Sequence, residues 1–182
     1  AALSTLLTYH SRRPFSEMAI TLSILKNSDP DLVRQRGGFS LYDLKRFVQA
    51  VGLEALGYGA MTLDDLGHID VPAILPIRLN DFDHFVVFKK RFGGHVIVGD
   101  PAFGNYSIRE DRFNRMWKSR IAFYVVSNEE KKLMEQQVKI AKRSPLAPEI
   151  MELTVPSLNY ASRLVNRIPM IPLTRRNMLL SP

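Results

Sequence analysis

Asp83-His84-Phe85-Val86-Val87-Phe88-Lys89-Lys90-Arg91-Phe92-Gly93-Gly94-His95-Val96-Ile97-Val98-Gly99-Asp100 decides how this chain folds. Two short runs rich in Val, Ile and Phe, His84 to Lys90 and His95 to Gly99, flank a pair of glycines. Such runs read as strands, and two glycines between them suit the primed turn of a hairpin, whose central residues need positive φ. Antiparallel pairing through that turn sets the start of the first strand beside the end of the second. His84 and Asp100 are therefore expected to be neighbours, close enough for a carboxylate to orient an imidazole.

Outward from the hairpin, Val71 to Leu79 reads as a further strand, separated from it by the turn-forming Asn80-Asp81. Ser107 to Met116 reads as a turn followed by a short helix, and Ile121 to Val126 as one more strand. Upstream the period is helical. Ala1 to Tyr9 carries Leu3, Leu6 and Leu7 at the spacing of a buried helix face. Pro14 and Ser16 open a second helix, with Ser16 as N-cap and Glu17 in the first turn. Its apolar set is Met18, Ile20, Leu22, Ile24 and Leu25, and Asp29-Pro30 ends it or starts a short turn. After a turn at Arg36-Gly37-Gly38, Ser40 caps a third helix, with Asp43 in the capping-box position. Leu41, Leu44, Phe47, Val48 and Val51 make its stripe, and Gly52 suits the C′ position. Residues 54–60 are expected as a short strand and Leu63 to Leu66 as one helical turn. Helices first and an antiparallel sheet after make an α+β fold.

Past the last strand the character changes. Asn128 is expected to cap a charged helix, Glu129 to Ala141, with a weak apolar face at Leu133, Met134 and Val138. Pro145, Pro148, Pro156, Pro169, Pro172 and Pro182 punctuate the rest of the chain. The boundary is placed near residue 128: residues 1–127 form the main domain, and residues 128–182 a helical, then proline-rich, C-terminal extension.

The 182 residues suffice for one domain with a core. No stretch reaches the roughly 18 consecutive apolar residues of a spanning helix. The most apolar run, Val71 to Leu79, is interrupted by Pro72 and Pro76 and carries Arg78. The formal charge of +7 invites a nucleic-acid reading, but it is dispersed: residues 1–127 hold 16 basic against 13 acidic side chains, and residues 128–182 hold 9 against 5. A solvated surface is expected, not a nucleic-acid partner. The chain has no cysteine, hence no disulfide and no thiolate metal site. Asp81, Asp83 and His84 could be imagined as metal ligands, but no HExxH-like spacing accompanies them. No GxxxxGK[ST] loop or helix-opening glycine fingerprint occurs either, so neither metal nor cofactor is expected. Ala1-Ala2-Leu3 starts in mid-helix without Met or cap and reads as the beginning of a fragment.

Four histidines are available for chemistry. His10 ends the first helix beside Arg12 and Arg13 and is expected to face water; His68 sits in a polar turn; His95 starts a strand and could point either way. His84 differs, because Asp100 is its expected neighbour. Such a pair is two thirds of a nucleophile–base–orienter triad, in which the carboxylate fixes the imidazole tautomer and raises its basicity. A His–Asp structural pair at a sheet end is the other reading. Ser4 and Thr5 are poor nucleophile candidates, because their hydroxyls follow the turn where activation is needed.

Several stretches together resemble one family. Ala1-Ala2-Leu3-Ser4-Thr5-Leu6-Leu7 resembles the helix that follows the nucleophile in double-glycine-leader (bacteriocin-processing) papain-like cysteine peptidases, whose motif runs Cys-Gly-x-Ala-Ala-Leu. Gly38-Phe39-Ser40-Leu41-Tyr42-Asp43-Leu44-Lys45 resembles their third-helix start, and Val71-Pro72-Ala73-Ile74 their central strand entry. Asp83-His84-Phe85-Val86-Val87 and Gly99-Asp100-Pro101-Ala102-Phe103-Gly104 match the segments of the catalytic His and Asp, and Phe113 to Trp117 also fits. The resemblance covers residues 1–127. It implies a papain-like fold with the nucleophile at the N-terminus of the first helix, where the helix dipole lowers a thiol's pKa. It puts the Cys about three positions before Ala1 and the oxyanion-stabilising Gln a few residues further back. Only His84 and Asp100 carry over as catalytic, and residues 1–182 on their own are expected to be inactive for want of the Cys.

Members of that family occur as N-terminal domains of leader-cleaving exporters facing the cytosol, and as stand-alone proteins, often exported. The proline-rich tail favours the stand-alone type, periplasmic or secreted, with a cytoplasmic setting as the alternative. The expected partner is a peptide or protein with a Gly-Gly leader, and a secretion system is a further candidate. Phe82, Asp83, Phe103 and Gly104, which flank the catalytic pair, are the candidates for a cleft that admits glycine. The alternative function is a non-catalytic peptidase-like module that holds leader peptides or a secretion partner without cutting.

Overall fold

The computed structural model describes residues 1–79, 82–140 and 143–154. The expected turn at Asn80-Asp81, the last residue of the helix expected to end at Ala141, and the tail from Pro156 onward lie outside the described residues. Four helices come first: α1 (Ala2–Tyr9), α2 (Glu17–Asn27), α3 (Pro30–Arg36) and α4 (Leu41–Ala50). Then follow β1 (Glu54–Tyr58), α5 (Leu63–His68), β2 (Ala73–Leu79), β3 (Phe82–Phe92), β4 (His95–Asp100), β5 (Gly104–Arg109), α6 (Glu110–Met116) and β6 (Ala122–Val126). Two helices close the described chain, α7 (Asn128–Ile140) and α8 (Pro148–Leu153). The strands form one antiparallel sheet in the order β1-β6-β2-β3-β4-β5. The fold is α+β.

Both faces of this sheet are covered, and strand alternation divides the core in two. Ile74, Phe85, Val87, Phe123 and Val125 face α1, α2 and α4, where Leu3, Leu6, Leu7, Ile20, Ile24, Leu41 and Phe47 meet them. Leu75, Ile77, Val86, Phe88, Val96, Val98, Tyr124 and Val126 face the other way, onto α5, α6 and α7. Trp117 closes that second layer, fully buried, with its indole N–H donated to the carbonyl of Ile121 at 2.9 Å.

The caps of the first helices follow the sequence closely. The Ser16 hydroxyl accepts the amide of Ala19. Ser40 and Asp43 form the reciprocal capping box of α4, and Gly52 sits just past the helix at φ 77. Four local expectations need correction. Asp29-Pro30 opens a helix of its own, α3, with Asp29 accepting the amides of Asp31 and Leu32. Of the apolar set on α2, only Ile20 and Ile24, one turn apart, are buried, while Met18, Leu22 and Leu25 are exposed. Gly104 to Arg109 is a strand, β5, in place of the turn expected near Ser107. The cap of α7 is Ser127, whose hydroxyl accepts the amide of Glu130 and whose own amide is accepted by the Glu130 carboxylate.

Residues beyond 127 pack closely on the domain. Met134 and Val138 of α7 are buried in the second core layer, and Met151 of α8 in the first. Pro145 bridges to Tyr58, and the Leu146 amide donates to the Gly57 carbonyl at 2.7 Å. The Leu41 amide donates to the carbonyl of Thr154 at 3.0 Å. The outer edge of β1 is thereby covered, which removes an unpaired strand edge. Gly57 is matched to this packing: a Cβ there would stand 2.5 Å from Met151 Cε.

Candidate active site

The hairpin of β3 and β4 turns on Gly93 and Gly94, at φ 57 and 74, and closes with Phe92 opposite His95. Three pairs later the ladder slips. Lys90 stands opposite Ile97 but Phe88 opposite Val98, so Lys89 is an extra residue bulged from β3. This bulge decides where the site's side chains point. In an unbroken ladder Asp100 would align with Val87 and face away from His84. With Lys89 out of register, Asp100 falls opposite Val86 and shares a face with His84, since a one-residue slip flips every side chain beyond it.

His84 Nε2 lies 3.0 Å from Asp100 Oδ2. The Asp100 side chain is fully buried and that of His84 is 16% exposed. A buried carboxylate is tolerated only where its lone pairs are occupied. Both Asp100 oxygens are. Oδ1 accepts the amides of Ala102 at 2.7 Å and Phe103 at 3.3 Å. Oδ2, besides facing the imidazole, accepts the Tyr106 hydroxyl at 3.3 Å. Asp100 therefore ends β4 by drawing the following turn over itself, while β5 returns alongside and delivers Tyr106. Nε2 is thus the ring nitrogen turned to the carboxylate, and Nδ1 lies on the other side of the ring.

Tyr106 is a site residue that the sequence does not announce, and no local signal marks it. It lies six residues beyond Asp100, across a turn, in a strand that spacing does not reveal.

The four residues flanking the pair are placed differently from one another. Phe82 is on the His84 face of β3 by alternation and is half-buried. Asp83 points to the opposite face and pairs with Arg78 across the ladder at 3.6 Å. Phe103 gives its amide to Asp100 while its side chain is 60% exposed. Gly104 stands opposite Asp100 at φ 79, a conformation that favours glycine.

The other histidines are engaged elsewhere. His10 is not turned to water as expected: its Nε2 lies 3.3 Å from Glu130 Oε1, tying the end of α1 to the start of α7. His68 Nδ1 is 2.6 Å from the Asp64 carbonyl in the last turn of α5. His95 is exposed at the head of β4, with Nδ1 3.0 Å from the Gly93 carbonyl. The Ser4 hydroxyl donates to the Phe15 carbonyl at 2.6 Å and so serves the packing of α1. Asp81 lies outside the described residues, and among those described no group of three His, Asp or Glu side chains could hold a metal. Among the same residues no helix is long and apolar enough to cross a membrane.

A cleft of about 380 Å³ lies beside the pair, between β5, α6 and the end of β2. Tyr106 lines it, and so do Arg109, Asp111, Arg112 and Arg115. Burial pushes the Asp111 carboxyl up, but the Arg112 amide and the charges of Arg109 and Arg115 outweigh it and hold the group below its ordinary value.

Known proteins share this architecture. The chain is 36% identical over 126 residues to the protein named "Probable functional amyloid protease FapD" of Pseudomonas aeruginosa, and 33% identical over 126 residues to the protein of that name from Pseudomonas fluorescens. Each alignment covers 69% of this chain and 54% of the relative, so the chain spans about half the length of the curated relatives it matches. The crystal structure of the peptidase domain of Streptococcus ComA, a bi-functional ABC transporter involved in a quorum sensing pathway, superposes with a TM-score of 0.57. It is 18% identical, and the match covers 70% of this chain and 89% of that one. A double glycine motif protease from an AMS/PCAT transporter, in complex with the leader peptide, gives a TM-score of 0.54 at 23% identity, covering 70% and 81%. Both likenesses show a common fold, the papain-like one. The model of the Peptidase C39 family matches residues 1–130, the whole helix-and-sheet domain with His84 and Asp100 inside it, and the chain belongs to that family.

Proposed function

We propose that this chain carries the base and orienter of a cysteine endopeptidase that cuts after a double glycine in a leader segment. The observation that carries the reading is the His84–Asp100 pair, 3.0 Å apart, with both oxygens of the buried carboxylate accepting hydrogen bonds. Family membership supports peptidase chemistry, and the leader-bound relative among the solved structures supports the substrate class. The relatives named as probable functional amyloid proteases make a functional-amyloid protein a second candidate substrate.

In this mechanism His84 Nδ1 takes the proton of a thiol carried at the N-terminal end of α1, upstream of Ala1. The thiolate attacks the carbonyl carbon of the second glycine, and the carbonyl oxygen becomes an oxyanion. The imidazolium then returns its proton to the leaving amine as the C–N bond breaks, leaving a thioester. Water, deprotonated by the same nitrogen, hydrolyses the thioester and restores the thiol. Asp100 keeps the Nε2–H tautomer throughout and stabilises the transient imidazolium; it exchanges no proton.

A non-catalytic, peptide-holding module is the second reading, since family membership alone is shared by both. One experiment separates the two. Residues 1–182 are expected to leave a Gly-Gly leader peptide intact, whereas the chain extended through the residues encoded before Ala1 cuts it. That activity is lost to iodoacetamide and to His84→Ala. An extended chain that binds the peptide without cutting it supports the module instead.

A further inference from the structure

The cleft beside the catalytic pair has a lining whose chemistry the peptidase reading does not use. Its apolar part comes from Leu79, Ile108 and Met116, of which the last two are buried. Its basic part comes from Arg109, Arg112 and Arg115, all exposed. One acidic side chain opposes them: Asp111 pairs with Arg109 at 3.1 Å and with Arg115 at 3.4 Å. Arg112 has no ion-pair partner among the described residues. With His95 neutral, the lining carries a net charge of +2.

We propose that this cleft is a docking subsite for an acidic stretch of the polypeptide substrate, with carboxylates on the arginines and apolar side chains between them on the floor. The inference rests on the peptidase reading. Charge complementarity names the sign of the ligand, and the apolar floor argues for a peptide over a nucleic acid, which would need aromatic platforms or a longer basic track. Position supplies the connection. Tyr106 lines the cleft and gives its hydroxyl to Asp100, so one side chain links the cleft to the pair. A double glycine offers no side chain to grip at the scissile bond, so affinity for such a substrate has to come from segments away from it. The volume, about 380 Å³, is within the range of roughly 300–1,000 Å³ over which pockets enclose ligands.

Residues 1–182 allow binding to be measured without turnover. The probes are two peptides labelled with fluorescein at the N-terminus, (Glu-Leu-Ala)₃-Gly-Gly-Ser-Ser-Ser and its twin with Gln for Glu, followed by anisotropy at low salt. The acidic peptide is expected to bind at least tenfold more tightly than its twin. Arg112→Glu together with Arg115→Glu should erase that difference, with circular dichroism unchanged because both side chains are exposed. Arg112→Glu alone gives an intermediate loss. Equal affinity for the twins, or indifference to the double variant, overturns the proposal. Displacement by inorganic phosphate at low millimolar concentration overturns it as well, since the cleft is then a general anion site. In the extended chain, failure to cut either peptide counts against the peptidase reading while leaving the binding comparison to judge the cleft. Equal kcat/KM for the two twins counts against the cleft alone.

Discussion

Asp100 Oδ2 faces His84 Nε2 at 3.0 Å while Oδ1 of the same carboxylate accepts two backbone amides, those of Ala102 and Phe103. An asparagine has one oxygen for these two tasks. If that oxygen stays on the amides, its NH₂ faces the imidazole and forces the proton onto Nδ1, the tautomer that cannot act as base. Asp100→Asn in the extended chain is therefore expected to lower kcat by roughly 100-fold or more, as carboxylate-to-amide changes at an orienter do. Steady-state cleavage of a Gly-Gly leader measures this, and a loss of less than tenfold would contradict the assigned tautomer.

Tyr106→Phe keeps the ring and removes only the hydroxyl that shares Oδ2 with His84. One hydrogen bond of ordinary strength is at stake, so kcat should fall roughly three- to tenfold. KM should stay close to its starting value, because the hydroxyl is engaged with Asp100. The ¹⁵N shifts of the His84 ring, read in residues 1–182, should also move toward mixed tautomers. A change confined to thermal stability, with kcat and ring shifts untouched, would assign Tyr106 to packing.

How much of this arrangement is legible in the sequence depends on where its information lies. The capping box of Ser40 and Asp43 and the Gly93-Gly94 turn are local, and local chemistry specifies them fully. The neighbourhood of His84 and Asp100 is readable from the hairpin, yet a simple ladder would turn the two side chains to opposite faces. The Lys89 bulge that reconciles them has no mark in a run of Lys-Lys-Arg. Strand β5 escapes because it is an edge: in Gly104-Asn105-Tyr106-Ser107-Ile108-Arg109 only Tyr106 and Ile108 turn toward the core, and Gly-Asn reads as a turn. Helix α3 buries no residue, so hydrophobic periodicity cannot reveal it. On α2, Met18, Leu22 and Leu25 are apolar but exposed, and composition alone does not tell such residues from a core face.

The segment after residue 127 is expected to contribute to the stability of the domain as well as to its length. Met151 is 2% exposed against α4 and β1, and Gly57 leaves room for its methyl group. Met151→Ala should cost about 2–4 kcal/mol in urea unfolding, the range for emptying a buried aliphatic site. Gly57→Ala should cost less, roughly 1–2 kcal/mol, since the flexible end of Met151 can shift but Leu146 Cβ, 3.3 Å from the new methyl, is less free. Unchanged midpoints for both variants would show that residues 143–154 are only loosely attached.

A second anchor of the same segment is electrostatic. Burial pushes the Asp65 carboxyl up, but hydrogen bonds from the Thr62 hydroxyl and amide and from Arg143 outweigh it, so its folded pKa lies below the ordinary 3.8. A depressed carboxylate stabilises the fold above its unfolded pKa, and that contribution is lost as pH falls through the folded value. The stability gap between the parent chain and Asp65→Asn should therefore be constant from pH 7 down to about 5 and close below 3.8. A gap that widens on acidification would reverse the assigned sign. Arg143→Met should shrink the same gap at pH 7, because it removes the 2.8 Å partner of Asp65 Oδ2.

Specificity for a double glycine has to rest on exclusion. Glycine has no Cβ, so a cleft too narrow for one discriminates without making any contact of its own. Phe103, 60% exposed on the turn that Asp100 holds, and Phe82, on the face of His84, are the bulky side chains we propose to narrow it. Replacing both leader glycines with alanine should depress kcat/KM in the extended chain by tenfold or more, equivalent to about 1.4 kcal/mol at the transition state. Replacing apolar anchors further along the leader should mainly raise KM, because those contacts are made equally before and during reaction. Phe103→Ala supplies the converse test. Its exposed side chain leaves the core intact when removed, and a widened cleft should cut the Ala-Ala leader relatively better, lowering the Gly-to-Ala ratio severalfold. Gly104→Ala acts differently, since a Cβ at φ 79 strains the backbone by roughly 1–2 kcal/mol and should disturb the turn that carries Phe103. Equal cleavage of the two leaders by the parent enzyme would refute the double-glycine assignment even with the His84–Asp100 chemistry intact.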